Sequence, residues 1–199
     1  MPNVTLLFVE QSPPSGTTSS GSVPSGGGIG GGASLVPGLR LAIEEHGGQV
    51  LVDQAAGADA VVGAFDDAGA AMTAAQQIRA SVAIAARARG ATSTGVRLGI
   101  HTGVAMISAG GGVYGIAALV SRRLCAEAGA GGARLSSATY ALVEGLDGHE
   151  FLGAGPVSVP DLDRPVETWA LAPARSLPSL WRGTTTAVGD AIDHPDAFL

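Results

Sequence analysis

Apolar positions along this chain fall into two periodicities, and their alternation predicts the elements. Val4–Val9 (VTLLFV) is a short, largely apolar run with β-branched members, ending at Glu10, and predicts a central strand. Leu35–His46 carries helical spacing and is closed by Gly47-Gly48, a C-terminal cap signal. Val50–Val52 and Ala60–Phe65 predict two strands on either side of the turn-like Gln54–Ala58. From Asp66 to Arg89 the chain is Ala-rich, with Met72, Ala75, Ile78, Val82 and Ala85 at helical spacing, so a long helix is predicted. Val96–Ile107 predicts the next strand, Gly110–Gly112 a turn, and Ile116–Ala128 a helix with Arg122 and Arg123 on its polar side. Ala133–Leu135 reads as a short strand and Ser136–Glu144 as a helix opened by a serine cap. Short strands near His149–Leu152, Pro156–Val159 and Glu167–Leu171 finish the pattern. The order β-α-β-β-α-β with a small C-terminal α/β extension predicts an α+β fold with a ferredoxin-like sandwich core.

Two stretches break the periodicity. Gln11–Gly38 is Ser, Gly, Pro and Thr with no charged residue, too polar to offset its ordering entropy, and is expected to be a flexible insertion. A phosphate cradle at Gly26–Gly32 would need a cation that no lysine supplies, so the linker reading is preferred. Beyond Pro173 the chain turns polar and Pro/Gly-punctuated, so one domain is expected over 1–172 and a tail over 173–199.

Composition narrows the functional classes. At 199 residues and 46% hydrophobic content the chain is long enough for one domain with a substantial core. A net charge of −6 argues against nucleic-acid or anionic-membrane partners. All 11 basic residues are arginine, which excludes a P-loop lysine, a Schiff-base lysine and a lysine general base. The single Cys125 lies in an apolar helical pattern, reads as a buried hydrophobe, and predicts a reducing, cytoplasmic compartment. No basic-then-apolar leader opens the chain, and no run of about 18 apolar residues predicts a membrane span.

Three blocks in order carry a family resemblance: TLLFVE at 5–10, HGGQVLVDQAAGADAVVGAF ending at Phe65, and GVRLGIHTGVA leading to Leu124. Together they resemble the catalytic domain of class III adenylyl and guanylyl cyclases over roughly residues 4–172. The second block and the ending LDRPVETWAL are particularly similar to cyclase domains that precede actinobacterial ATPase/LuxR-type regulators. The resemblance implies in-line attack of a ribose hydroxyl on the α-phosphate of ATP or GTP, with pyrophosphate leaving. It also implies two divalent ions, Mg²⁺ or Mn²⁺, held by two carboxylates.

By the same resemblance the first metal carboxylate falls on Glu10, where the family usually has aspartate. The extra methylene moves the carboxylate by about 1.5 Å, whereas Mg²⁺ demands ligands near about 2.0–2.1 Å in strict geometry. The second falls on Asp59, with Asp53 as the fallback because this segment carries an extra residue. The purine-selecting lysine has no counterpart, and the second purine-selecting position falls on Gly112, which lacks a side chain. The ribose-binding asparagine falls on Leu119 and the transition-state arginine on Arg123, four residues on and so on one helical face. Leucine offers no hydrogen bond, and loss of one such donor costs about 10²–10³ in rate. Arg123 retains the group that clamps phosphate, although a solvated helix face is an equally good reading of Arg122 and Arg123.

Other candidates reduce to structure. His46, His101, His149 and His194 lack zinc-ligand spacing, and His101 reads as a core histidine. Ser136-Ser137 reads as a cap rather than a nucleophile, and Trp169 and Trp181 are too isolated for a base-stacking platform. The leading expectation is a degenerate cyclase-homology domain in cyclic-nucleotide signalling, catalytically impaired and acting as a dimerisation or regulatory module. The alternatives are a weak metal-dependent adenylyl or guanylyl cyclase using Glu10, Asp59 and Arg123, or a ferredoxin-like interaction domain with no nucleotide site. Family domains work as head-to-tail dimers, so a homodimer, or a heterodimer with another cyclase domain, is expected, with strand faces near Val96–Ile107 contributing.

Overall fold

The computed structural model describes residues 3–11, 35–53, 55–88 and 95–172, and the insertion and tail expected from the sequence fall largely or wholly outside them. Strand β1 (Asn3–Gln11) leads to helix α1 (Val36–Glu45), strands β2 (Gln49–Leu51) and β3 (Ala60–Phe65), helix α2 (Ala68–Ala88) and strand β4 (Val96–Val104). A two-stranded ribbon, β5 (Met106–Ile107) and β6 (Val113–Tyr114), precedes helix α3 (Ile116–Glu127). Strand β7 (Ala133–Ser136), helix α4 (Ser137–Val143) and strands β8 (Phe151–Val157) and β9 (Val166–Leu171) complete the chain order.

The main sheet has seven strands in the order β2-β3-β1-β4-β7-β9-β8, so the first four strands make the expected ferredoxin-like core. Every pairing is antiparallel except β4 with β7, whose parallel crossover runs through α3. Central strand β1 is apolar on both faces because both are covered. Leu7 and Val9 pack with α1, α2 and α4, whereas Leu6 and Phe8 pack with α3 through Ala117, Ala118 and Cys125. Gly99 lets α3 approach β4 closely, since a Cβ there would lie 2.0 Å from the Ser121 carbonyl oxygen and 2.3 Å from the Cys125 nitrogen.

Two expected elements differ. The strand expected over 96–107 breaks at the buried Ala105, and Met106–Ile107 turns back as a ribbon closed by Gly111 at φ +77°. The two strands expected near 149–152 and 156–159 are one strand, β8, whose register shifts between Gly153 and Gly155, interrupting the alternation on which a pattern reading depends. Ser136 is the cap of α4, as expected, its side chain accepting from the Thr139 amide.

Candidate functional site

Pairing in the sheet brings Glu10 and Asp59 to the same end. Glu10 is opposite Ala60, and the Gln11 amide donates to the Asp59 carbonyl at 2.9 Å. On its other side Glu10 pairs with Arg97, and the Arg97 guanidinium donates to the Glu10 carboxylate at 2.8 Å. Both side chains are about one-third exposed. Cys125 lies beneath this pair and donates to the Arg97 carbonyl. Burial, with the Glu10 charge adding, pushes its thiol up to about 12, so it is inert as a nucleophile.

Among the described residues no three His, Cys, Asp or Glu side chains form a group that could hold a metal ion. Glu10 is already neutralised by a fixed cation, and Asp59 is an exposed turn residue. As arranged within one chain, the set does not fit a two-metal centre. Asp53, the fallback ligand, has another task. Its carboxylate accepts from Arg122 Nε and Nη2 at 3.1 and 2.5 Å, and its second oxygen accepts from the Ala55 amide. With its side chain only 3% exposed, Asp53 is an anchor between the end of β2 and α3. Arg122 is therefore neither a free clamp nor a fully solvated charge.

Leu119 and Arg123 do share a face of α3, and that face meets the C-terminal extension. Leu119 packs against a cluster of Val120, Leu124, Val157 and Val159. Arg123 Nε donates to the Ser158 carbonyl at 3.1 Å, and its Nη2 pairs with Glu127 at 2.7 Å. Gly112 sits where the ribbon is sewn to the end of β2. The Val52 amide donates to the Gly111 carbonyl, and the Val113 amide donates to the Val52 carbonyl. A Cβ on Gly112 would lie 2.7 Å from the Tyr114 hydroxyl and 2.9 Å from Ser108 Oγ, the ends of two side chains that can move aside, so packing does not require glycine there.

A polar network that pattern reading did not find lies at the opposite end of β1. Thr5 and Thr102 hydroxyls are 2.9 Å apart, Thr102 donates to Thr139, and Thr139 meets Ser136 at 3.2 Å. His101 Nδ1 meets Ser136 Oγ at 2.8 Å, and burial lowers the imidazole to about 4. His101 is thus the neutral core histidine expected. Trp169 stacks on Tyr140 at 4.3 Å, a structural role, whereas Trp181 is outside the described residues. The missed partners, Arg97 for Glu10 and Arg122 for Asp53, leave only one signal in sequence: an arginine that interrupts an apolar strand or helix face.

No family model matches this chain, and no curated protein matches it. Solved structures do. An adenylate/guanylate cyclase/hydrolase from Silicibacter pomeroyi superposes with a TM-score of 0.67 at 20% identity, covering 86% of this chain and 96% of that one. The adenylyl cyclase CyaB from P. aeruginosa gives 0.65 at 18% identity, over 87% and 95% of the two chains. The guanylate cyclase domain of RhGC from Catenaria anguillulae, solved in complex with GTP, gives 0.61 at 16% identity, over 87% and 98%. The fold is that of the adenylyl and guanylyl cyclase domains. No described helix is long and apolar enough to cross a membrane.

Proposed function

We propose that this chain is a degenerate class III cyclase-homology domain in cyclic-nucleotide signalling, catalytically impaired and acting as a dimerisation or regulatory module. One observation carries the reading: of the two α3 positions that would supply a ribose ligand and a phosphate clamp, one is packed in an apolar cluster and the other is ion-paired at the surface. Leu119 lies in an apolar cluster, and Arg123 is held by the Ser158 carbonyl and Glu127. The Arg97 cation on Glu10 and the lack of a side chain at Gly112 agree with it.

A partner surface follows from exposed apolar side chains around the ribbon. Val52, Val104, Met106, Ile107, Tyr114 and Ile116 are all 39% exposed or more. The proposed occupant is a second cyclase domain, as a homodimer or heterodimer. A second reading, a slow Mg²⁺- or Mn²⁺-dependent cyclase, is favoured by one feature: Glu10 and Asp59 are neighbours at one sheet end.

The deciding assay is cyclic-nucleotide formation from ATP and GTP with Mn²⁺ and with Mg²⁺, on protein of known oligomeric state, beside Glu10→Ala. No product from a folded dimer is expected. Product that disappears in Glu10→Ala would establish the slow cyclase instead.

A further inference from the structure

On the sheet face remote from α3, helices α1 and α2 leave an open apolar groove of about 320 Å³. Leu35, Leu39 and Ala42 line one wall, Ile78, Val82 and Ala85 the other, and Glu45 and Gln77 meet at one end. Leu41, also on the lining, is 56% exposed, and Ile84, on α2 beside the groove lining residues in sequence, is 67% exposed.

The described chain ends against α2. Arg79 Nη1 donates to the carbonyls of Leu171 and Ala172 at 3.1 Å, which fixes the exit point of the C-terminal segment on the helix that forms one groove wall. Twenty-seven residues, 173–199, follow that point. A helix is about 10–12 Å across, so three or four extended residues, at about 3.3 Å each, cross α2. The next residues in sequence are SLPSLWR, residues 176–182, with Leu177, Leu180 and Trp181 grouped. Residues 173–182 also carry Arg175 and Arg182 and no acid, in a chain whose net charge is −6, while the charged group lining the groove is Glu45.

We propose that residues 173–182 of the same chain cover the α1–α2 groove, with Leu177, Leu180 and Trp181 on its apolar lining and an arginine directed to Glu45. Reach, the position of the exit, apolar content and charge all favour this segment over a separate partner.

The test uses the full chain and a reporter thiol. Ser81 lines the groove and is exposed, and the native Cys125 is buried, so Ser81→Cys places one reactive thiol there. Its rate of reaction with a maleimide is compared with that of Ser81→Cys carrying Leu177→Ser, Leu180→Ser and Trp181→Ser. If the segment covers the groove in nine molecules of ten, the substituted tail reacts about ten-fold faster. Equal rates overturn the proposal. Protection that grows with protein concentration also overturns it, because the cover is then a second copy. Thr73→Cys, exposed on α2 away from the groove lining, reacts equally in both backgrounds and separates local cover from any change in folding.

Discussion

Asp53 at the end of β2 and Arg122 on α3 meet at 2.5 Å, and the aspartate side chain is almost wholly withdrawn from water. The pair ties the strand that flanks the candidate carboxylates to the helix that carries Leu119 and Arg123. A carboxylate left there without its partner is an uncompensated buried charge. Arg122→Ala is therefore expected to cost about 2–4 kcal/mol, the partial exposure of the arginine keeping it below the fully buried case. Asp53→Asn in the Arg122→Ala background should recover part of the loss. Urea denaturation of the two single variants and the double variant measures this, and additive losses would show that the residues do not act as a pair.

Much of this architecture is legible in the chain because its signals are local. The run 4–9, the Gly47-Gly48 stop and the spacing of Met72, Ala75, Ile78 and Val82 each reappear as an element. The two elements that differ turn on geometry that leaves little trace in an apolar pattern, the reversal after Ala105 and the shift between Gly153 and Gly155. The candidate site was legible to the level of strand ends. Glu10 and Asp59 do lie at one end of the sheet, but the ion pair that occupies Glu10 depends on Arg97, 87 residues away. Asp53 looks like any turn carboxylate until α3 folds over it. Long-range ion pairs of this kind are set by tertiary packing and have no spacing rule to reveal them.

Gly99 sets the distance between α3 and the sheet. Gly99→Ala drives a methyl group into the backbone of Ser121 and Cys125, where no flexible side chain can move aside. A loss of about 3 kcal/mol or more is expected, read as a lowered midpoint in thermal or urea unfolding. A loss below 1 kcal/mol, roughly the level of a tolerated core change, would mean that α3 is free to shift on β4.

His101 makes stability depend on acidity. Its folded-state value is depressed to about 4 from an ordinary 6.5, so the unfolded chain binds the proton more readily. The contribution is complete above about pH 6.5 and is lost as pH falls toward 4, to a total of about 3 kcal/mol. His149 is also lowered by burial and acts in the same direction. Comparison with His101→Asn isolates the first group: the variant should lose correspondingly less stability between pH 7 and pH 4. Parallel curves for the two proteins would refute the assignment.

Met106 on the ribbon is 51% exposed and belongs to the apolar surface proposed as the partner face. Met106→Arg should leave stability within about 0.5 kcal/mol, as a surface change does, while placing a charge in any interface formed there. Sedimentation of the parent as a dimer and of the variant as a monomer is the expected result. A variant that remains a dimer of unchanged affinity would move the interface to another face.

Leu119 and Glu10 test the proposed impairment directly. Leu119→Asn places a hydrogen-bonding side chain at the proposed ribose position, but removes a hydrophobe from the cluster with Val157 and Val159. A stability cost of about 1–2 kcal/mol is expected from the lost burial. Glu10→Asp shortens the side chain and weakens its reach to Arg97, now 2.8 Å away, which frees the carboxylate for a cation. The double variant is expected to gain cyclic-nucleotide production over the parent with Mn²⁺, even though it is less stable. The gain should exceed that of either single change, because ligand and carboxylate serve the same step. A folded double variant with no gain would leave two explanations, separable by nucleotide binding. Binding without turnover places the dominant defect in the proposed phosphate clamp, where Arg123 meets Ser158 and Glu127. Absence of binding places it in the proposed purine pocket, where the chain has no lysine and Gly112 presents no side chain.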